Sequence, residues 1–116
     1  MKIATCWDDG TVNDIRLADL LRQYNAKATF NINPGRIQRH TRSCEWHGFT
    51  GCDRTYEPFE NAVLSLDEMK EAYYGFQVAS HTMTHPSATT IAPEAYLKEA
   101  MDARKFIEDE FQIESR

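Results

Sequence analysis

Short apolar runs alternate along the chain with segments in which apolar residues recur every three or four positions. Residues 2–7 predict a buried strand that opens into a loop at Asp8, and residues 28–32 predict a second strand. The intervening segment predicts an amphipathic helix with one apolar face, formed by Leu17, Leu20, Leu21 and Tyr24. A strand, a helix and a strand within about thirty residues form a βαβ unit, which implies a parallel sheet.

The alternation resumes after residues 36–63, a stretch without a clear period. Ser65 and Glu68 have the spacing of a capping box, which predicts the start of a second helix. Residues 76–79 predict a third strand, and Pro93 predicts the start of a last helix with a broad apolar stripe. The stripe consists of Leu97, Ala100, Met101, Ala103, Ile107 and Phe111. The predicted order is therefore β-α-β-loop-α-β-α.

Composition and charge narrow the class of protein. A chain of 116 residues with 41% hydrophobic content fits one small folded domain or part of a larger one. The net charge of −5 argues against nucleic acid or an anionic membrane as the main partner. No apolar run approaches the roughly 20 residues of a bilayer span, and no signal-peptide pattern precedes the first strand. With three cysteines in no regular framework, we expect a cytoplasmic protein with reduced thiols.

Reactive side chains follow the ends of two predicted strands. Asp8 and Asp9 come directly after the first strand, and His81 and His85 follow the third. Because the carboxyl ends of parallel strands meet at one edge of the sheet, we expect these side chains to converge. Adjacent carboxylates repel each other, but a divalent cation turns that repulsion into attraction. A solvated turn closed by Gly10 is the alternative interpretation of the acidic pair.

The histidine spacing favours a cation site. Two imidazoles and one carboxylate suit Zn²⁺ first, and also Co²⁺, Mn²⁺ or Fe²⁺. Histidines four residues apart can face one ion from a single turn, and Pro86 favours a turn over a long helix. Such a cation lowers the pKa of a water molecule from about 16 towards 7, and a second aspartate can accept the proton. Chance spacing or core histidines are the alternatives that the residues alone leave open.

The motifs resemble those of the polysaccharide deacetylase family, the NodB homology domain of carbohydrate esterase family 4. Residues 6–10 match the family's Thr-Phe-Asp-Asp-Gly motif, with Trp7 in the aromatic place and Cys6 where threonine is usual. Residues 81–85 match its His-(Ser/Thr)-x-x-His motif in full. Residues 27–30 match the family's second strand.

The resemblance covers roughly residues 2–111, with residues 36–63 as an insertion loop. It implies an α/β fold, the N-terminal half of a distorted (β/α) barrel with parallel strands and intervening helices. It also implies hydrolytic removal of an N- or O-linked acetyl group from a carbohydrate, with Asp8 as the catalytic base. The implied metal ligands are Asp9, His81 and His85.

Three further family motifs have no match before Arg116. These are the arginine and proline stretch that orients the base, the later aspartate-tryptophan wall of the pocket, and the Leu-x-His motif whose histidine is the general acid. We therefore expect residues 1–116 to be the N-terminal part of a longer catalytic domain, with little or no activity alone. Trp7 and Met83 are candidates for the substrate-pocket wall, with plain packing as the equal alternative.

Alternatives to the deacetylase function are a cyclic amide or imide hydrolase of the same superfamily and a non-catalytic metal- or carbohydrate-binding module. Residues 36–63 are expected to be a solvated loop, although a Cys44–Cys52 disulfide or a second, structural zinc site is possible there. The residues of that second site are His40, Cys44, His47 and Cys52. Cys6 is expected to be an inert residue of the first strand's core. The oligomeric state is left open.

Overall fold

The computed structural model describes residues 1–37 and 63–112. The predicted order of elements is confirmed within these ranges. The elements are β1 (Cys6–Asp8), α1 (Asn13–Gln23), β2 (Thr29–Ile32), a 3₁₀ turn (Pro34–Arg36), α2 (Leu66–Ala72), β3 (Gln77–Ser80) and α3 (Pro93–Phe111). Most of the predicted insertion loop lies outside the described residues. The same is true of the candidate second zinc site and disulfide, at His40, Cys44, His47 and Cys52.

The three strands form one parallel sheet in the order β1-β2-β3. Asp8 of β1 is in register with Asn31 of β2, which in turn is in register with Ala79 of β3. The predicted βαβ unit is therefore confirmed. Because all three strands run the same way, the residues that follow β1 and β3 lie at the same edge of the sheet.

The core lies between the sheet and the helices. Phe30 of β2 is fully buried, stacks on Tyr73 at a centroid distance of 4.4 Å and meets Phe76 edge-on at 5.4 Å. Such aromatic pairs add to the stabilisation that burial of apolar area provides. The cluster is completed by Val12, Ala18, Ala28, Ile32, Val63, Leu64, Met69, Ala72, Val78 and Ile107.

The predicted apolar face of α1 is partly wrong. Leu20 and Tyr24 are exposed, the latter to 77%, whereas Ala18 and Asp14 are buried. Leu17 and Leu21 of the predicted face do pack against the core. The buried side of α1 also includes Asp14, whose carboxylate accepts a 2.6 Å hydrogen bond from the hydroxyl of Tyr73, so a polar pair occupies part of the face that packs inward.

The two later helices follow the sequence more closely. Ser65 caps α2 by accepting a hydrogen bond from the backbone N–H of Glu68, whose side chain bonds back to the Ser65 N–H, so the capping box is confirmed. In α3 the predicted stripe is buried at Ala103 and Ile107, but Leu97 remains 63% exposed. Only the C-terminal half of the stripe therefore packs on the described core.

The first strand is shorter and more exposed than predicted. Instead of a buried strand over residues 2–7, β1 has only the three residues Cys6–Asp8, and all of them, Cys6 included, are exposed. Within the described residues β1 pairs only with β2, so its outer edge is uncovered. The expectation of a core position for Cys6 is therefore wrong.

Residues 1–37 and 63–112 contain no helix with both the length and the apolar character of a bilayer span.

Candidate metal centre

Asp9 lies in a tight turn directly after β1. Its backbone is left-handed, with φ of 77°, and its N–H donates a 3.0 Å hydrogen bond to the carbonyl of Asn31. Aspartate tolerates this conformation better than most residues because its short side chain bonds locally. Gly10 follows with φ of 63°, so the chain reverses within two residues of the strand end. The turn directs Asp9 towards the residues that follow β3.

The histidines occupy an irregular turn after β3, as predicted, and not a helix. The His81 N–H donates a 3.0 Å hydrogen bond to the carbonyl of Ile32, which extends the pairing of β2 with β3 by one step. The His85 N–H donates a 3.2 Å hydrogen bond to Oγ1 of Thr82. This arrangement brings the two imidazole rings to a centroid distance of 4.8 Å at an angle of 61°.

The structure brings Asp9, His81 and His85 together. Oδ1 of Asp9 lies 3.8 Å from Nε2 of His81 and 3.6 Å from Nε2 of His85. One ligand atom from each residue fits within a span of 4.8 Å. Zinc–ligand bonds of about 2.0–2.1 Å in a tetrahedral site separate neighbouring ligand atoms by about 3.3 Å. The three residues are therefore close to the spacing that one ion requires.

Asp9 Oδ1 is the atom on which the fit of a cation to these residues depends. This oxygen is buried and accepts no hydrogen bond from any of the described residues. A buried carboxylate oxygen without a hydrogen bond is costly, and a positive ion at the imidazole side would satisfy it. Nη1 of Arg36 approaches the same oxygen only to 3.8 Å. The donor set of one carboxylate and two imidazoles is one that Zn²⁺ accepts.

Asp8 lies outside the cluster of three. Its side chain is exposed, and its Oδ1 accepts a 2.7 Å hydrogen bond from Nδ2 of Asn31. The two adjacent aspartates thus have different partners, as separate ligand and base roles would require. Sequence reasoning missed Asn31, and the signal that could have found it is its register with Asp8 in the predicted parallel sheet.

A buried carboxylic acid lies beneath the acidic turn. Asp14 accepts a 2.6 Å hydrogen bond from Tyr73 and a long one, 3.5 Å, from Oγ1 of Thr11. Burial raises the pKa of Asp14 to about 6, although both hydrogen bonds oppose the shift. Burial also raises the pKa of Tyr73 far above its usual range. Sequence reasoning missed Asp14 because it placed the buried face of α1 elsewhere.

The turn that carries the histidines is supported by the residues that follow β2. The Asn33 side chain is buried, and its Nδ2 donates to the carbonyls of His81 and Thr82, the latter at 3.1 Å. The N–H of Gly35 donates a 2.8 Å hydrogen bond to the carbonyl of Met83. A Cβ at position 35 would lie only 2.8 Å from that carbonyl oxygen. Glycine is therefore required for this close approach.

A cleft of about 450 Å³ adjoins the histidines, between their turn and α3. Its lining is formed by Ser80, His81, Thr82, His85, Pro86, Tyr96, Ala100, Met101 and Arg104. The two candidate pocket residues are not part of it: Trp7 is a partly exposed residue of β1, and Met83 supports the turn through its backbone. Their role in substrate binding stays a prediction.

Comparison with known proteins decides the family. The model of the polysaccharide deacetylase family matches residues 1–116. The chain belongs to the polysaccharide deacetylase family. This member is 31% identical over 108 residues to a peptidoglycan-N-acetylglucosamine deacetylase of Bacillus cereus, a match that covers 91% of this chain and 39% of that protein.

Solved deacetylases share the fold of this family member. The Streptococcus pyogenes deacetylase PplD in complex with acetate superposes with a TM-score of 0.69 at 22% identity, covering 95% of this chain and 41% of that one. The Xyl-CE4 domain of a multidomain xylanase from the Trinervitermes trinervoides hindgut metagenome superposes with a TM-score of 0.66 at 20% identity. The match covers 97% of this chain and 44% of that one. The predicted α/β class is confirmed, and the chain corresponds to the N-terminal part of the deacetylase barrel. It spans about two fifths of the length of these relatives.

Proposed function

We propose that this chain supplies the cation site and the general base of a hydrolase that removes acetyl groups, N- or O-linked, from a carbohydrate. The observation that carries the proposal is the convergence of the buried Asp9 Oδ1 with Nε2 of His81 and Nε2 of His85, at 3.8 and 3.6 Å. The name of the Bacillus cereus relative supports an N-acetylated sugar as the first substrate to try.

Asp9, His81 and His85 are the residues that would hold a divalent cation. Zn²⁺ is the expected ion, with Co²⁺, Mn²⁺ and Fe²⁺ as alternatives that the same donors accept. When bound, such a cation polarises a carbonyl group and makes a neighbouring water molecule more acidic. The side chain of His85 is 49% exposed, so the cluster is open to a substrate from outside.

We assign the proton-accepting role to Asp8. It is adjacent in sequence to the proposed ligand Asp9, and the amide of Asn31 holds one of its carboxylate oxygens. An ionised carboxylate accepts hydrogen bonds only, so a fixed and accessible one is suited to take a proton from an attacking water. The hydrogen bond from Asn31 orients the carboxylate, and exposure keeps it within reach of solvent and substrate.

The test is release of acetate by the full-length protein that contains this chain, with Asp8→Asn as the decisive variant. Chitooligosaccharide and an O-acetylated xylan distinguish amide from ester substrates. The variant should lose about 10²- to 10⁴-fold in rate, the usual contribution of general-base catalysis, while its zinc content is unchanged. A variant with the wild-type rate would contradict the proposed role of Asp8. Ring opening of a small cyclic imide without acetate release would favour the imide hydrolase, and sugar binding without turnover would favour a binding module.

We further propose that residues 1–116 alone have little or no deacetylase activity. The sequence contains no histidine after His85 that could occupy the general-acid position of the family. Without a general acid the leaving amine must depart unprotonated, which is slow. Turnover by the 116-residue chain, measured beside a complete homologue, tests this, and comparable rates would contradict it.

A further inference from the structure

Residues 81–85, here called the ligand turn, adopt an unfavourable backbone. Thr82 and His85 both have positive φ, at 66° and 62°. A left-handed conformation is a clear outlier for a β-branched residue such as threonine, and it persists only where the surroundings hold it. The positions of the two imidazoles therefore depend on contacts from outside the turn.

Contacts from β2 hold the first part of the ligand turn. The side chain of Asn33 donates hydrogen bonds to the carbonyls of His81 and Thr82. The N–H of Gly35 donates one to the carbonyl of Met83. These bonds fix the backbone through position 83. They do not reach Thr84, the residue directly before the second imidazole.

Thr84 is held from the opposite side by Glu99 of α3. Oε2 of Glu99 accepts a 2.7 Å hydrogen bond from the Thr84 N–H, and Oε1 accepts one of 3.0 Å from the Thr84 hydroxyl. Hydrogen bonds to an ionised carboxylate are stronger than neutral ones, and a bidentate pair also fixes orientation. Because Ala103 and Ile107 are fully buried, α3 is anchored on the core and presents Glu99 from a rigid support.

We propose that Glu99 is a positioning residue of the cation site, and that cation affinity depends on its two hydrogen bonds to Thr84. This inference rests on the proposed function of the Asp9, His81 and His85 cluster. Release of Thr84 lets the left-handed backbone at His85 relax, and the second imidazole moves away from Asp9. Partners that orient metal ligands in this way typically contribute about 10- to 100-fold to metal affinity.

Two substitutions separate geometry from charge. Glutamine at position 99 has the length of glutamate and satisfies both groups of Thr84, since its carbonyl accepts from the N–H and its amide donates to the hydroxyl oxygen. Aspartate keeps the negative charge but is one methylene shorter, so it does not reach Thr84. If Glu99 acts by positioning Thr84, Glu99→Gln keeps the cation affinity and Glu99→Asp lowers it. A purely electrostatic attraction of the cation predicts the reverse.

The experiment is a Zn²⁺ titration of the metal-free protein against a chromogenic chelator. We expect Glu99→Asp to bind Zn²⁺ about tenfold or more weakly and Glu99→Gln to stay within about threefold of wild type. Asp109→Asn is the matched control, because Asp109 is an exposed acid of the same helix that pairs with Lys105. The visible spectrum of the Co²⁺ complex, which reports ligand geometry, should change only in Glu99→Asp. Melting temperatures of the metal-free variants verify the fold.

Wild-type affinity in Glu99→Asp would overturn the inference and leave the proposed function intact. A loss of affinity in Glu99→Gln that Glu99→Asp does not share would overturn the positioning role in favour of charge. Failure of the wild-type protein to bind Zn²⁺ would overturn both proposals together. If Glu99→Asp unfolds the metal-free protein, Thr84→Val removes only the hydroxyl bond. That variant should lose about tenfold in affinity, and an affinity within about threefold of wild type would overturn the inference.

Discussion

Asn31 donates a 2.7 Å hydrogen bond from Nδ2 to Oδ1 of Asp8, its register partner across the parallel pair of β1 and β2. The bond is therefore set by strand pairing and not by a flexible loop. The next residue, Asp9, has turned away into the left-handed region and faces the imidazoles instead. One dipeptide at a strand end thus presents two carboxylates to two different sets of partners.

Replacing Asn31 by alanine should lower kcat for deacetylation and leave Zn²⁺ affinity unchanged. Loss of one hydrogen bond to a charged group corresponds to about 1.5–3 kcal/mol, or a rate loss of roughly tenfold to a hundredfold. Thr29→Ala is the control, since Thr29 lies two residues earlier on the same strand and bonds to Gln77. A parallel fall in Zn²⁺ affinity would show that Asn31 acts on the ligands and not on Asp8.

The contribution of Asp14 to the free energy of unfolding should decrease as pH rises. Burial raises the pKa of Asp14 from 3.8 to about 6, so the folded state binds the proton more tightly than the unfolded state. The contribution is fully present below about pH 4 and is lost as pH rises through about 6. Asp14→Asn cannot titrate, so its free energy of unfolding relative to wild type should rise by up to about 3 kcal/mol between pH 4 and 7.

This prediction is measured by urea denaturation of both proteins across that pH range in the presence of a chelator. Only the difference between the two curves is informative, because the remaining carboxylates affect both proteins alike. Tyr73→Phe removes the donor to Asp14 without changing its charge. It should destabilise at all pH values, by about 1 kcal/mol or more. A constant difference between Asp14→Asn and wild type from pH 4 to 7 would contradict the assigned pKa.

Gly10→Ala should destabilise the protein more than Gly75→Ala. Both glycines have positive φ, at 63° and 87°, so each substitution incurs about 1 kcal/mol of backbone strain. A Cβ at position 10 would also lie 2.5 Å from Cε of the buried Met69, whereas nothing lies within 4 Å of one at position 75. Cε is the end of a flexible side chain, but Met69 is fully buried and can shift only in part, so overpacking adds about 1 kcal/mol. Thermal unfolding of the metal-free proteins checks the order, and equal losses would contradict it.

The sequence predicted the parts of the site that depend on the ends of elements. Apolar runs bounded by Asp8 and Ser80 were enough to locate the strands along the chain, and parallel pairing then predicted that the acidic pair and the histidines meet at one edge of the sheet. These inferences needed only local patterns and one topological rule. They fail where burial depends on what lies beside an element, as at the exposed strand β1.

The supporting residues were not predictable in the same way. Asn33 binds residues 48 and 49 positions away, and the hydrogen bond between Tyr73 and Asp14 spans 59 positions. Glu99 and Thr84 are 15 positions apart, across a turn and the start of a helix. No local periodicity encodes such pairs, because each depends on the final packing of two elements. The apolar pattern of α1 even favoured a face that leaves Tyr24 exposed.

Zn²⁺ binding by the metal-free wild-type protein and by His81→Ala/His85→Ala tests the central claim most directly. Asp19→Asn, an exposed acid of α1 that pairs with Arg22, serves as the control. We expect the control to bind like wild type and the double variant to lose one equivalent of Zn²⁺. Wild type and the control, but not the double variant, should gain about 2.7 kcal/mol in stability at a free Zn²⁺ concentration of about 100 times Kd. Unchanged stoichiometry and affinity in the double variant would contradict a cation site formed by Asp9, His81 and His85.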